Sequence, residues 1–243
     1  MQRIHWRVAT LVERSVETPN ARTLVFDVPG WPGHLPGQHV DVRLTAPDGY
    51  STQRSYSISS ASTGERVDLT VQTVADGEVS PFLTEVLDVG DQLEIRGPVG
   101  GWFVWRQERT APVLLVAGGA GIVPHMAMIR TRRAVGSTVP FRLIYSVRAP
   151  GERYFVDEFR RRDPGLDVAF VYTRKAPDDD LRPVGRMTVA DVARQGWPAE
   201  LEPDCFVCGP TGFVEAAAAI LLHLGHDPRR VRTERFGPSG GAR

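Results

Sequence analysis

Along the first hundred residues, apolar and polar side chains alternate in short runs, which is typical of β-strands with one buried face. Clusters of glycine, proline and aspartate separate the runs, as turns between strands require. We predict strands at 5–13, 23–28, 38–44, 53–59, 66–74 and 92–96. Their spacing favours a small antiparallel barrel or sandwich, interrupted by one helix with Ser80 as its N-cap and Pro81 as its first residue.

The pattern changes after a polar stretch at 106–112, which we interpret as a linker. Residues 113–117 are continuously apolar, as in a parallel strand that is buried on both faces. We predict a first helix that ends near residue 133 and further helices at 156–162, 189–194 and 212–224. These helices alternate with strands at 141–147, 168–172, 205–208 and 231–235. This alternation predicts a doubly wound parallel sheet. We therefore expect two domains, residues 1–107 and 108–243, the second with a C-terminal tail from residue 237.

Composition and charge exclude several classes of protein. The 243 residues are 42% hydrophobic and 24% charged, which is ordinary for a globular chain and excludes disorder and coiled coil. The 29 basic and 29 acidic side chains cancel, which argues against general nucleic-acid binding. Residues 1–107 carry 9 basic and 13 acidic side chains, whereas residues 108–243 carry 20 and 16, so the second half suits an anion better. No apolar run reaches the roughly 18 residues of a membrane helix, and no signal-peptide core opens the chain, so we expect a cytoplasmic location.

The two cysteines, Cys205 and Cys208, are too few for a disulfide framework or a four-cysteine iron–sulfur site. Their spacing also occurs in thioredoxin-type redox pairs, but residues 206 and 207 resemble the interior of a strand, which turns the two side chains to opposite faces. We expect Cys205 in the core and Cys208 at the carboxyl end of its strand, where open α/β sheets bind ligands. The six histidines lack metal-ligand spacing, so we expect them on the surface and no bound metal.

A glycine-rich turn, Gly118-Gly119-Ala120-Gly121-Ile122-Val123-Pro124, joins the apolar strand to a helix. Glycines let the backbone approach a phosphate, and the start of a helix supplies unpaired N–H groups and partial positive charge. Pro124 replaces the third glycine of the usual dinucleotide fingerprint, and no lysine follows as in a P-loop. The turn indicates a pyrophosphate site, with a ligand-free strand-to-helix turn as the alternative.

A second motif, Arg54-Ser55-Tyr56-Ser57, lies on a predicted strand. Arg54 and Tyr56 share one face of that strand, and Ser55 and Ser57 share the other. A guanidinium beside an aromatic ring suits a planar ligand that carries a phosphate. An ordinary edge strand with a surface arginine is the alternative.

Together these motifs resemble the ferredoxin–NADP reductase superfamily, specifically its single-chain flavoprotein reductases, over residues 7–237. The resemblance implies a six-stranded antiparallel FAD-binding barrel followed by a doubly wound NAD(P)-binding domain. It implies that Arg54 holds the FAD pyrophosphate, that Tyr56 stacks on the isoalloxazine ring, and that Ser57 hydrogen-bonds near the reactive ring nitrogen, with Ser55 in the same cofactor-binding motif.

Further segments fit the same family. Gly77-Glu78-Val79-Ser80 is similar to the step whose backbone and hydroxyl complete the flavin phosphate site, which implies cofactor contacts from Gly77, Val79 and Ser80. The segment at 97–103 resembles the end of the family's barrel with one residue inserted.

In the second domain, the resemblance assigns the nicotinamide dinucleotide to the glycine turn through Gly119, Gly121 and Pro124. Cys208-Gly209-Pro210 resembles the step that lines the nicotinamide pocket, and Glu234-Arg235-Phe236 resembles the acidic and aromatic residues that close over the flavin. The residues implied around the hydride path are Ser57, Cys208 and Glu234, with Gly209, Pro210 and Phe236 as cofactor contacts.

NADPH is the favoured donor, and NADH is possible. A 2′-phosphate is expected beyond the second and third strands of this domain, and both following loops carry arginine, at Arg148 and at Thr173-Arg174. A site for NAD more often places a carboxylate there. In the family, a serine–arginine pair after the third strand marks NADPH users, and Thr173-Arg174 stands in its place.

The implied function is hydride transfer from NAD(P)H to FAD, followed by electron transfer to a ferredoxin, a flavodoxin or an oxygenase component. Reduction of a diffusible acceptor (free flavin, ferric chelate or quinone) is the first alternative, and a non-catalytic dinucleotide-sensing subunit is the second. We expect a monomer or weak dimer that binds neither nucleic acid nor membrane. We interpret the arginine clusters at 130–133 and 160–162 as solvated helix faces, with docking of an acidic redox protein as the alternative.

Overall fold

The computed structural model describes residues 5–237, which form two units. One unit consists of the residues up to Arg106 together with Met126–Val135, and the other consists of Gln107–His125 and the residues from Gly136 onward. The domain boundary at residue 107 stays a prediction, and the expected tail lies outside the described residues from 238 on. No helix within the described part of the chain is long and apolar enough to cross a membrane.

The first unit contains a six-stranded antiparallel sheet, which confirms the fold expected for this half. The order of its strands in the sheet is β4-β3-β6-β1-β2-β5. A bridge between Ile58, just after β4, and Leu69 of β5 joins the two edges and closes the sheet into a barrel. The strands are β1 (Trp6–Thr18), β2 (Ala21–Asp27), β3 (His39–Thr45), β4 (Ser51–Ser57), β5 (Arg66–Gln72) and β6 (Gln92–Val99).

Alternation along β3 shows how the barrel sorts its side chains. Val40 and Val42 are fully buried in the core, whereas His39 and Asp41, which alternate with them along the strand, are half-buried on the other face. Because β4 pairs with β3 in register, Tyr56 lies opposite Val40 on the core side, and Ser57 lies opposite His39. The register therefore gives the two faces of β4 different environments.

A short helix, α1 (Val79–Pro81), follows β5 and continues as a π-helical turn at Phe82–Val86. The prediction of Ser80 as its N-cap is wrong, because the helix begins at Val79 with Glu78 in the cap position. Ser80 is buried inside the helix, where its hydroxyl accepts the N–H of Val74 at 3.0 Å. The hydroxyl closes the preceding loop, so it does not cap the helix.

The second unit contains a five-stranded sheet whose pairs are all parallel, which confirms the predicted doubly wound arrangement. The strands are β7 (Val113–Gly118), β8 (Phe141–Val147), β9 (Leu166–Tyr172), β10 (Asp204–Pro210) and β11 (Val231–Phe236), in the order β11-β10-β7-β8-β9. The helices after β7 are α2 (Ile122–Ala134), which belongs to the first unit from Met126 onward, α3 (Val156–Arg160), α4 (Val189–Gln195) and α5 (Thr211–His223). Short 3-10 turns lie at Gly119–Gly121, Pro150–Glu152, Ala199–Leu201 and Pro228–Arg230.

The strand order sets the place of a ligand site. The central strand β7 is buried along its whole length, as its apolar sequence predicts. The winding of the chain reverses between β7 and β10, and ligands of open α/β sheets bind in the crevice at the carboxyl ends of the strands at such a point. The glycine turn after β7 and Cys208 on β10 both lie at this edge.

Two predictions about surface residues are wrong. Arg132, expected on a solvated helix face, is only 6% exposed. Three of the histidines expected on the surface are buried: His34, His125 and His226. The ring of His34 accepts the indole N–H of Trp31 at 3.1 Å, a polar partner that makes its burial tolerable. Within residues 5–237, no cluster of His, Cys, Asp and Glu could hold a metal ion.

Candidate functional site

The core-side face of β4 carries Tyr56 and Arg54. Tyr56 packs against the barrel core, and burial raises the pKa of its phenol to about 12, although the charge of Arg54 opposes the rise. Arg54 is exposed opposite Val42, and one of its nitrogens donates to the carbonyl of Gln53 at 2.7 Å. A neutral ring beside an exposed guanidinium fits a planar ligand with a pyrophosphate.

The other face of β4 carries Ser55 and Ser57. The Ser55 hydroxyl donates to Asp41 at 2.7 Å, and Arg96 donates to the same carboxylate at 2.6 Å. Burial alone would raise the pKa of Asp41, but these hydrogen bonds lower it, so the carboxylate stays charged. Ser55 is therefore engaged within the barrel through its side chain, and a cofactor contact from this residue would use its backbone.

His39 is a neighbour of Ser57 that the motif did not reveal. The two residues lie opposite each other in the β3–β4 register. Burial lowers the pKa of His39, with the charge of Asp41 opposing, so the ring is neutral at pH 7. The Asp48-Gly49 turn signal could have fixed the hairpin register and placed His39 opposite Ser57.

The loop before α1 is held against β4 by Glu78. Its carboxylate accepts the hydroxyl of Thr52 at 3.1 Å and the hydroxyl of Tyr50 at 3.1 Å. The N–H of Gly77 donates to the carbonyl of Val74 at 2.9 Å and tightens the same loop. The segment that contains Gly77, Val79 and Ser80 therefore lies beside the strand that carries Arg54, which a shared phosphate site requires.

In the second unit, Gly119 and Gly121 serve two different purposes. Gly119 has φ +53°, and the space where its side chain would stand is open. At Gly121, an added Cβ would collide with the carbonyl of Cys208, so glycine is needed for the turn to pack on β10. Pro124 lies in the first turn of α2, where a missing N–H breaks no helical hydrogen bond. The open, glycine-shaped surface at the start of α2 fits a pyrophosphate.

Cys208 and Glu234 meet at the carboxyl edge of the parallel sheet. They are register partners on β10 and β11, and Pro210 is the partner of Phe236 further along. Cys208 is 1% exposed, and burial together with the charge of Glu234 raises the pKa of its thiol well above the usual range. The structure thus brings Gly121, Cys208 and Glu234 together, with the thiol protonated.

The loops after β8 and β9 are tied to each other through their backbones. The N–H of Thr173 donates to the carbonyl of Val147, and the N–H of Arg174 donates to the carbonyl of Arg148, both at 2.9 Å. The side chains of Arg148 and Arg174 are exposed. The two arginines of the expected 2′-phosphate site therefore sit on adjoining loops, and their role stays a prediction.

Comparisons with known proteins agree with this geometry. A model of the oxidoreductase FAD-binding domain matches residues 8–104, and a model of the oxidoreductase NAD-binding domain matches residues 115–219. The chain is 32% identical to a flavohemoprotein of Deinococcus radiodurans over 216 residues, which are 86% of this chain and 53% of that protein. It is also 32% identical to the glycine betaine monooxygenase reductase subunit of Chromohalobacter salexigens over 228 residues, 91% of this chain and 61% of the relative.

Both curated relatives are longer than the matched region, and the chain spans between half and two thirds of their length. Among solved structures, the flavohem-like FAD/NAD-binding domain of nitric oxide dioxygenase from Vibrio cholerae matches with a TM-score of 0.85 and 28% identity. That match covers 96% of this chain and 99% of the solved chain. With its FAD-binding and NAD-binding domains in this order, the chain belongs to the ferredoxin–NADP reductase family of flavin-dependent oxidoreductases.

Proposed function

We propose that this protein transfers hydride from NADPH to FAD bound on β4 and passes the electrons to a separate acceptor protein. The observation that carries the proposal is the assembly of Gly121, Cys208 and Glu234 at the carboxyl edge of the parallel sheet. When bound, FAD would accept two electrons as a hydride and release them one at a time, while the protein supplies orientation and electrostatics.

Each side chain has a definite part in this proposal. Arg54 offsets the charge of the FAD pyrophosphate, and Tyr56 offers a ring that stays neutral because its pKa is about 12. Cys208 lines the nicotinamide as a neutral thiol, since its raised pKa keeps it protonated at physiological pH. Ser57 borders the flavin ring, with neutral His39 as its cross-strand neighbour.

A separate acceptor is supported by the relative named as the reductase subunit of a monooxygenase. By this likeness the acceptor is an oxygenase component, with a ferredoxin or flavodoxin as equivalent one-electron carriers. The residues described above would serve a diffusible acceptor equally well, so the acceptor has to be tested directly.

The test is stopped-flow reduction of the purified flavoprotein by NADPH and NADH, followed by a screen of acceptors. We expect NADPH to bleach the flavin absorbance rapidly and the reduced protein to turn over fastest with a one-electron carrier protein. Faster turnover with free flavin, ferric chelates or quinones would replace the carrier with a diffusible acceptor. Absence of bleaching by either nucleotide would contradict the enzymatic proposal.

Preference for NADPH is expected to depend on Arg174. A charge-assisted contact from this exposed side chain to the 2′-phosphate contributes about 1.5 kcal/mol, so Arg174→Ala should reduce the NADPH-over-NADH ratio of kcat/KM about tenfold. Arg229→Ala is the matched control, because this exposed arginine precedes β11 at the opposite edge of the sheet. An equal use of both nucleotides by the wild-type protein would contradict the assignment, as would an unchanged ratio in Arg174→Ala.

A further inference from the structure

Tyr50 is an aromatic residue just before β4 whose side chain is 57% exposed. Its hydroxyl donates to the two carboxylate oxygens of Glu78, at 3.1 and 3.3 Å. The backbone around it is also fixed, because the N–H of Tyr50 donates to Asp48 at 3.0 Å and its carbonyl accepts the N–H of Ala46 at 2.8 Å. The ring is therefore held at its hydroxyl end, while much of its surface faces solvent.

Tyr50 continues a row of side chains on one face of β4. Side chains two residues apart on a strand share a face and are about 7 Å apart, so Thr52, Arg54 and Tyr56 form such a row. Thr52 and Tyr50 both donate to Glu78, which shows that Tyr50 lies on the same side as Thr52. The row begins with a half-buried ring at Tyr56 and ends with an exposed ring at Tyr50.

The order in which the parts of FAD are bonded determines which part of the cofactor lies at each end of this row. The pyrophosphate of FAD lies between the isoalloxazine ring and the adenosine. With the isoalloxazine ring on Tyr56 and the pyrophosphate on Arg54, an extended molecule places its adenosine beyond Arg54, toward Thr52 and Tyr50. An exposed aromatic ring is a stacking partner for a base, and a carboxylate is a partner for ribose hydroxyls.

We propose that Tyr50 stacks on the adenine of FAD and that the Glu78 carboxylate accepts hydrogen bonds from the ribose of the same nucleotide. The inference rests on the proposed function, because it takes β4 as the FAD-binding face. A carboxylate has about four acceptor positions, so Glu78 can bind a ribose hydroxyl and still hold Tyr50 or Thr52. The pair makes the site select FAD over FMN, which lacks the adenosine.

The experiment compares the affinities of FAD and FMN for the flavin-free protein by calorimetric titration. Stacking on one base predicts that Tyr50→Ala weakens FAD binding by about tenfold or more, while FMN binding changes less than twofold. Tyr50→Phe keeps the ring and is expected to bind FAD within about threefold of the wild-type affinity. Glu78→Ala is expected to weaken FAD binding more than FMN binding, because the loop contact to Thr52 is lost for both flavins and the ribose acceptor is lost for FAD alone.

A second measurement tests binding of the adenosine half of FAD alone. We expect ADP to compete with FAD for the wild-type protein and to lose that affinity in Tyr50→Ala. Equal losses of FAD and FMN affinity in Tyr50→Ala, or no loss of either, would overturn the inference, and so would a failure of ADP to compete. If the wild-type protein bound neither flavin, the proposed function itself would be wrong, and the inference with it.

Discussion

Arg54 is the residue on which flavin retention is expected to depend. Its guanidinium is exposed on the face of β4 that Tyr56 shares, and a charge-assisted contact to a pyrophosphate is worth about 1.5–3 kcal/mol. Arg54→Ala should therefore bind FAD about 10- to 100-fold more weakly and stay folded, because the side chain is not part of the core. The measurements are the ratio of flavin to protein after purification and the Kd for FAD.

Arg66→Ala is the control for this variant, since Arg66 is an exposed arginine of a different strand, β5. It is expected to keep the flavin content of the wild-type protein. Full FAD occupancy with an unchanged Kd in Arg54→Ala would remove Arg54 from the cofactor site.

Cys208 is expected to affect the rate of flavin reduction more than the binding of either cofactor. Its thiol is protonated and its backbone carbonyl packs against the glycine turn at Gly121, so the proposed site gives it the part of positioning the nicotinamide. Small misplacements of reacting groups can lower a rate on the order of 100-fold. Cys208→Ala should slow stopped-flow reduction by NADPH clearly, with FAD still bound.

Cys205→Ala is the matched variant, because Cys205 is also buried on β10. Cys205 lies at the amino end of that strand, where its thiol contacts His226. Its rate of flavin reduction is expected to equal that of the wild-type protein. Equal rates in Cys205→Ala and Cys208→Ala would mean that Cys208 only fills space.

At the residue scale, the sequence revealed those candidate site residues whose identity the backbone demands. Gly121 could be recognised because a turn packed on the Cys208 carbonyl admits no side chain. Tyr50 and Glu78 were not recognised, because their contact joins a hairpin turn to a loop 28 residues away. The N-cap prediction for Ser80 failed for a related reason, since the N–H of Val74 competes for the same hydroxyl.

At the scale of elements, α4 shows how a helix of seven residues is stabilised from outside. So short a helix is marginal by itself, and it starts with a capping box between Thr188 and Asp191. Arg182 adds hydrogen bonds to both carboxylate oxygens of Asp191, at 2.8 and 2.7 Å, and both side chains are nearly buried. The helix therefore depends on a loop residue nine positions before Asp191.

The stability that Asp191 contributes is expected to vary with pH. The hydrogen bond from Arg182, against the effect of burial and with help from Thr188, lowers the pKa of Asp191 from 3.8 to about 2. A carboxyl with a lowered folded-state pKa stabilises the protein above its unfolded pKa, and the effect disappears as the pH falls through the folded value. Asp191→Asn should thus lower the free energy of unfolding by about 2 kcal/mol at pH 7, with the difference shrinking between pH 4 and pH 2.

Denaturant unfolding at pH 7, 4 and 2.5 measures this difference. Asp157→Asn is the control, because Asp157 forms an exposed pair with Arg160 and its loss should change stability by less than about 0.5 kcal/mol. A constant difference between wild type and Asp191→Asn across this pH range would show that the ion pair does not titrate as described.

Periodicity predicted the elements well because burial follows the local sequence closely. β7 is apolar throughout and buried throughout, and α2 ends one residue from its predicted end. The order of the strands could be predicted only through the family resemblance. In the barrel, β1 pairs with β6 across about 80 to 90 residues, and no local pattern encodes such a pairing.

At the scale of the whole molecule, each of the two units contains its own cluster of buried apolar side chains. Buried side chains of the barrel strands form the cluster in the first unit, and side chains of the parallel sheet with α4 and α5 form the cluster in the second. Met126–Val135 belongs to the first unit, although this segment follows β7 in the chain. Because each unit has its own buried cluster, a ligand bound to one unit is expected to stabilise that unit more than the other.

Hydrogen–deuterium exchange should therefore separate the two cofactors. FAD at 100 times its Kd adds about 2.7 kcal/mol to the unit that binds it, which slows exchange by opening of that unit about 100-fold. We expect FAD to protect barrel amides such as Val42 together with Met126–Val135, and NADP⁺ to protect amides of the parallel sheet such as Val116. The Arg54→Ala variant at the same FAD concentration is the control and should show less protection of the barrel. If FAD slowed exchange equally at Val42 and Val116, the two units would open together in one cooperative step, contrary to this prediction.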